Sequence, residues 1–216
     1  MREIVPSSSS RRAFLQAAMI GAAVPSPARG AEPQPTQPGR FVEPSRELPL
    51  HDDADVIVCG GGPAGVAAAI AAARSGARTR LFELHGCLGG VWTAGLLTYI
   101  FDFDKPGLTR ELTQRLDQRD ARRHKNPSRF VYEPEAMKLL LEELCGAAGV
   151  KLQLHTRVAA AHRVQSRLTT VITESASGRE AWRARVFIDA TGDGDVGARA
   201  GCEWEIGQGR DGPCQP

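Results

Sequence analysis

Residues 55–83 constrain the fold of this chain more tightly than any other segment. Asp55-Val56-Ile57-Val58-Cys59 is a short apolar run rich in β-branched residues, the pattern of a parallel strand buried on both faces. It enters Gly60-Gly61-Gly62-Pro63-Ala64-Gly65, which satisfies G-x-G-x-x-G. The alanine-rich stretch from Val66 to Ser75 predicts a helix that Gly76 stops, and Thr79 to Glu83 predicts a second strand. Strand, glycine turn, helix and strand in that order define a βαβ unit that binds a dinucleotide.

Each residue type has a mechanical reason. Gly60 permits the tight turn, Gly62 lets backbone approach a pyrophosphate, and Gly65 lets helix and strand pack closely. Pro63 and Ala64 belong to the fingerprint just before the helix, whose first N–H groups and positive dipole end face the phosphates. Glu83, 18 positions beyond Gly65, stands where an acid accepts hydrogen bonds from the adenosine ribose. An acid there suits FAD or NAD and repels the ribose phosphate of NADP. The fingerprint by itself leaves FAD and NAD both open.

Two further segments separate the cofactors. Leu84 to Thr93 contains the pair Gly89-Gly90 and then Thr93, and Val186 to Asp195 contains Asp189-Ala190-Thr191-Gly192-Asp193-Gly194-Asp195. The first resembles the continuation after the ribose acid in glutathione-reductase-like and fumarate-reductase-like flavoproteins. The second resembles their A-T-G segment, and Ala198-Arg199-Ala200-Gly201 follows it as in the FAD-dependent oxidoreductases that carry D-A-T-G-D-G-D. The resemblance runs from Asp55 to about Gly207. It implies an α/β, Rossmann-like FAD-binding domain with a parallel sheet and an inserted antiparallel β-meander. It also implies FAD as cofactor and cofactor contacts at Gly89, Gly90, Thr93, Val158, Thr191, Gly192 and Asp193, beside the fingerprint residues. Val158 belongs to Thr156-Arg157-Val158, where this family uses backbone to hold the adenine.

Between these motifs, Glu135 to Ala148 places Met137, Leu140, Leu141, Leu144 and Cys145 at helical spacing. Val150 to His155 reads as a strand. Arg167–Glu174 and Ala181–Asp189 read as paired strands around Ser175-Ala176-Ser177-Gly178. Family members of this kind are about twice as long or more, so the resemblance implies a substrate domain and a late Gly-Asp motif that these residues lack. The expectation is therefore the N-terminal part of an FAD-dependent oxidoreductase acting on a small organic substrate, with an electron acceptor. The alternatives are a non-catalytic FAD-binding fragment and an NAD-binding Rossmann protein that uses the first fingerprint alone.

The first thirty residues carry four arginines against one glutamate, while the rest is near neutral within a net charge of +2. No basic patch with interleaved aromatics points to nucleic acid. Ser10-Arg11-Arg12-Ala13-Phe14-Leu15-Gln16 resembles the twin-arginine export motif, and Ala17 to Val24 is an uncharged apolar run too short to span a bilayer. Residues 1–30 are expected to be a twin-arginine signal peptide, residues 31–52 a proline-rich linker, and residues 53–216 the FAD-binding domain. The implied partner is the twin-arginine machinery, the location periplasmic or extracytoplasmic, and no stable membrane anchor is expected.

Other candidates read more simply. The five cysteines form no C-x-x-C pair and no metal-ligand spacing, so Cys59 and Cys145 are expected as buried fillers and no metal is expected. Cys87 lacks a neighbouring thiol partner and reads as filler. His85 reads as a solvated loop histidine rather than a covalent flavin attachment point. Tyr99 to Asp104 reads either as the border of an active site or as a strand with an exposed acidic face. The run Arg115, Arg119, Arg122, Arg123, His124 and Lys125 reads as a solvated helix face. Asp193 and Asp195 are expected near the flavin, and no catalytic residue is assigned.

Overall fold

A computed structural model describes residues 39–125, 128–205 and 207. The chain divides into two units, Met1–Glu47 and Leu48–Pro216. Residues 1–38, which hold the leader and the first part of the linker expected from sequence, lie outside the described residues, as does Cys214. In the first unit, residues 39–47 are exposed, and Arg46 pairs with Glu43 at 2.7 Å.

The second unit carries the fold. Its centre is a four-stranded parallel sheet built from β2 (Val56–Cys59), β3 (Thr79–Phe82), β7 (Lys151–Gln153) and β11 (Val186–Asp189), in the order β11-β2-β3-β7. Side chains alternate across these strands, and both faces are covered. Val58 and Leu81 meet α1 (Pro63–Arg74) and α3 (Pro134–Ala148) through Val66, Ile70, Leu140 and Leu141. Ile57, Cys59 and Phe82 meet Val158, Val171 and Trp182 on the other face. Two-sided burial explains the continuous apolar run that sequence shows for β2.

The second face is covered by a sheet of order β1-β10-β9-β8, with β1 (Leu50–His51), β8 (Arg157–Val164), β9 (Arg167–Ser175) and β10 (Gly178–Arg183). Strands β8, β9 and β10 are antiparallel and form the meander inserted between β7 and β11. A third sheet, β4-β6-β5, joins β4 (Tyr99–Ile100), β5 (Arg122–Lys125) and β6 (Phe130–Tyr132). It packs Ile100, Phe130 and Tyr132 into the core shared with α2 (Leu108–Gln118) and α3.

The structure redraws several boundaries. Leu50 and His51, expected in the linker, form strand β1 because they pair in parallel with Ala181 and Trp182. His51 stacks on the Trp182 ring at 4.1 Å and meets Glu180 Oε1 at 3.1 Å, while the Arg80 guanidinium lies 4.2 Å from the Trp182 ring centroid. Ala181–Asp189 is two strands in different sheets. The chain changes sheets at Ala184 and Arg185, where the Arg185 and Val186 N–H groups both donate to Asp55 O at 3.0 and 3.1 Å. The strand expected over Val150 to His155 is confined to Lys151–Gln153, since His155 takes φ of +50° and turns the chain.

The arginine run is not one helix face. α2 ends at Gln118, Asp120 turns the chain with φ of +54°, and Arg122 and Arg123 lie on β5. Arg115 pairs with Glu111, Arg119 with Glu143 and Arg123 with Glu133, while Arg122 lies over the Phe130 ring. Only Tyr99–Ile100 of the aromatic and acidic segment is a strand; Phe101 to Asp104 form a turn. Among the described residues no helix is long and apolar enough to cross a membrane, and no group of three or more His, Cys, Asp and Glu residues could hold a metal ion.

Two acids tie the strand starts together. Asp53 takes a hydrogen bond from Lys151 at 2.6 Å and from Arg80 at 2.8 Å, and the lysine above all holds its carboxyl down at about 2. The Arg78 guanidinium does the same for Asp55, also to about 2. A carboxyl held below its ordinary value stabilises the fold above that value and loses the effect as pH falls toward the folded one. Melting temperature should therefore drop between about pH 4 and pH 2. The drop should be shallower in D53N, read by circular dichroism; an identical acid slope would contradict the assignment.

Candidate functional site

Strands β2 and β11 run in register, with Asp189 opposite Cys59, so the glycine turn and the A-T-G segment leave the sheet side by side. Ligands of open α/β sheets bind beyond these carboxyl ends. A cavity of about 800 Å³ lies there. Of the residues expected from sequence, Gly60, Gly62, Pro63, Ala64, Glu83, Gly90, Val158, Thr191 and Gly192 line it.

The glycine turn is shaped by contact. Gly60 has φ of +101°, and a Cβ there would lie 2.2 Å from the Ala190 carbonyl oxygen. A Cβ on Gly65 would lie 1.8 Å from the Gly60 carbonyl oxygen. Gly62 differs: it has φ of −67°, and nothing lies within 4 Å of the place its Cβ would take. That place opens into the cavity, where a ligand backbone-close to Gly62 would fit and a side chain would obstruct it. Gly62 is also the N-cap of α1, with Pro63 in the first turn and no side-chain cap, so the first N–H groups of the helix are presented to the cavity.

Glu83 follows β3 and is buried, 5% exposed. Its Oε2 accepts the Gly61 N–H at 2.5 Å, and its Oε1 accepts the His85 N–H at 2.7 Å. The His85 Nδ1 lies 2.8 Å from the same Oε1. The acid thus shapes the glycine turn as well as facing the cavity. Its own backbone is fixed, with the Thr156 N–H donating to Glu83 O at 2.8 Å and the His155 N–H to His85 O at 3.2 Å.

Four expected contacts do not line the cavity. Gly65 is used up by the helix–strand contact. Gly89, at φ of +106°, caps the short turn Gly90–Trp92, and a Cβ there would lie 2.6 Å from the Thr93 side chain. Thr93 is fully buried, its hydroxyl donating to Leu88 O at 2.5 Å. Asp193 is exposed in the turn before α4 (Asp195–Arg199) and does not line the cavity, whereas Asp195 does.

Sequence did not single out Arg157, Asp189 and Arg199 as lining residues. Each lies inside a motif already read (Thr156-Arg157-Val158, the A-T-G segment and Ala198-Arg199-Ala200-Gly201), where attention fell on its neighbours. Asp189 accepts from the Thr191 hydroxyl at 2.7 Å and the Gly197 N–H at 2.9 Å. Burial pushes its carboxyl up, and these donors bring it net below its ordinary value. Arg199 pairs with Asp195 one turn back. His85 also lines the cavity with its side chain 58% exposed. Cys59 and Cys145 are buried, which pushes their thiols up to about 12 and about 11. Cys87 is half-buried and outside the cavity lining.

Residues 55–216 match the family described as FAD dependent oxidoreductase. The chain belongs to this FAD-dependent oxidoreductase family, and FAD is its cofactor. Its fold is similar to a geranylgeranyl bacteriochlorophyll reductase-like protein from Thermoplasma acidophilum, at TM-score 0.56 and 20% identity over 71% of this chain and 43% of that one. It is also similar to THI4 from Thermovibrio ammonificans (TM-score 0.51, 20% identity, 70% of this chain and 64% of that one). A third similar structure is the myxobacterial chondrochloren halogenase CndH, described as a variant of FAD-dependent halogenases (TM-score 0.52, 18% identity, 67% and 38%). The chain spans less than two thirds of the length of each of these three. No curated protein matches it.

The two glycines separate binding from folding. Gly62→Ala should keep the melting temperature within about 2 °C, because a Cβ meets nothing and φ is ordinary, yet weaken FAD at least about tenfold by obstructing close approach. Gly65→Ala should lower stability by several kcal/mol, of order 3 or more, through overpacking on the Gly60 carbonyl. Fluorescence titration with FAD and thermal melts on both variants check this; equal effects of the two would contradict it.

Proposed function

We propose that the protein is an exported oxidoreductase that uses FAD to oxidise or reduce a small organic substrate. The observation that carries this reading is the joined site: the G-x-G-x-x-G turn, Glu83, Gly90, Val158 and the A-T-G turn all line one cavity at the sheet's carboxyl edge. The residues present fit the cofactor. The α1 N-terminus and the bare Gly62 suit a pyrophosphate, the Glu83 carboxylate suits ribose hydroxyls, and the backbone beside buried Val158 suits adenine. Thr191 and Gly192, on the A-T-G turn, line the same cavity.

When bound, FAD supplies the redox chemistry, the exchange of a hydride or electrons with the substrate. The described residues bind and orient it. Asp195 holds Arg199 at the cavity, and Arg157 adds a second cation beside Val158. Both stand where the charge of a dinucleotide needs a counterweight to Glu83, Asp189 and Asp195. The NAD-only alternative leaves the second glycine pair and the A-T-G turn without a role, and membership of the FAD-dependent family sets it aside.

The leader supports export after folding, a route that suits a protein that loads its cofactor in the cytoplasm. The partners are then the twin-arginine machinery, the substrate and an electron acceptor, and the location is periplasmic or extracytoplasmic.

Purified full-length chain should carry or take up FAD, giving a flavin absorption spectrum that shifts when the protein is denatured and the flavin released. A chain that stays colourless after incubation with FAD would contradict the reading. Replacing Arg11 and Arg12 together by Lys should retain the protein in the cytoplasm of a bacterial host, read by fractionation and blotting. Undiminished export of that variant would contradict the twin-arginine route.

A further inference from the structure

The Glu83 carboxylate has about four acceptor positions, two on each oxygen. Oε1 is filled by two groups of one residue, the His85 backbone N–H at 2.7 Å and the ring Nδ1 at 2.8 Å. Oε2 accepts the Gly61 N–H at 2.5 Å. One acceptor position is therefore left on an acid that faces a cavity built for a ribose, and a ribose offers two vicinal hydroxyls. Because a carboxylate only accepts, the ring hydrogen of a neutral His85 must sit on Nδ1. That leaves Nε2 of the same ring as an acceptor, on a residue that lines the same cavity with its side chain 58% exposed.

The loop that carries this ring is held from below. His155, at φ of +50°, packs its imidazole under Gly86, where a Cβ would lie 2.7 Å from its Cε1. Its N–H also donates to His85 O at 3.2 Å. The loop cannot carry a larger residue at position 86 without displacing that ring. The ring is exposed to solvent, yet its Nδ1 is fixed on a buried carboxylate.

We propose that His85 is a positioning residue for the cofactor, locking Glu83 through Nδ1–H and offering Nε2 as the second acceptor for the adenosine diol. Sequence reading gave this histidine no role, and the inference rests on the FAD reading of the cavity.

The test is FAD affinity by fluorescence titration of the full-length chain, with melting temperature recorded alongside. His85→Ala should weaken FAD about tenfold, the scale of one hydrogen bond to a charged group. Its melting temperature should change by no more than about 2 °C, because the ring is mostly exposed. His85→Asn places an amide N–H near the Nδ1 position without an Nε2, so it should recover part of the loss. In the Glu83→Gln background, His85→Ala should have a smaller effect than in the parent, since the group it positions is altered. Unchanged FAD affinity in His85→Ala overturns the proposal, as does a His85→Asn variant that binds no better than His85→Ala. An unsubstituted chain that does not bind FAD overturns it together with the reading beneath it, so the two failures are told apart.

Discussion

The Gly60 carbonyl and the Gly65 backbone approach so closely that a single carbon added between them would lie 1.8 Å from oxygen, and the rest of the site inherits its position from that contact. It sets α1 against the end of β2, which carries Val66 and Ile70 into the core with Val58 and Leu81. It aims the helix N-terminus at the cavity. Ala190 is part of the same contact, since its carbonyl lies against Gly60 and its Cβ against Gly65. The first and last motifs of the chain are thereby in van der Waals register, although 130 residues separate Gly60 from Ala190.

What could be read from the residues was whatever is written locally. β2, α1, β3 and the acid after it follow from period, glycine spacing and β-branched content, and the structure has all of them, with α1 starting three residues earlier because Pro63 fits a first helical turn. The helix Pro134–Ala148 was legible from the spacing of five apolar residues, all of them buried. The antiparallel meander was legible as a class but not in its bounds. Ala159, Ala160 and Ala161 in β8 have no β-branched signature; Ala160 and Ala161 become strand because β9 pairs with them, and Ala159 sits at the register shift between Val158 and Ala160.

The three-stranded sheet was out of reach for a related reason. Tyr99–Ile100 becomes a strand only by pairing with Val131 and Phe130, thirty residues on. Site residues divide the same way. Gly62, Glu83 and Gly90 are recognisable by what a dinucleotide requires of backbone, whereas Thr93 is equally consistent with a ligand contact and with a hydroxyl satisfying Leu88 inside the wall. Burial decided between them, and burial is not a local property. Arg157 and Arg199 belong to the cavity because β8 and α4 are brought to it from different parts of the chain.

The two-residue strand Leu50–His51 has a consequence for how the protein comes into being. Its hydrogen-bonding partner is β10, and the ring it stacks on is Trp182, so its contacts are with residues about 130 positions later. A chain emerging from the ribosome makes the glycine turn and α1 long before that partner exists, and closing so long a loop is slow compared with forming a helix. The entry segment therefore cannot dock before β10 has been made. Until then Leu50 and His51 have no strand to pair with, and the edge of the meander sheet is completed only after Trp182 has been made.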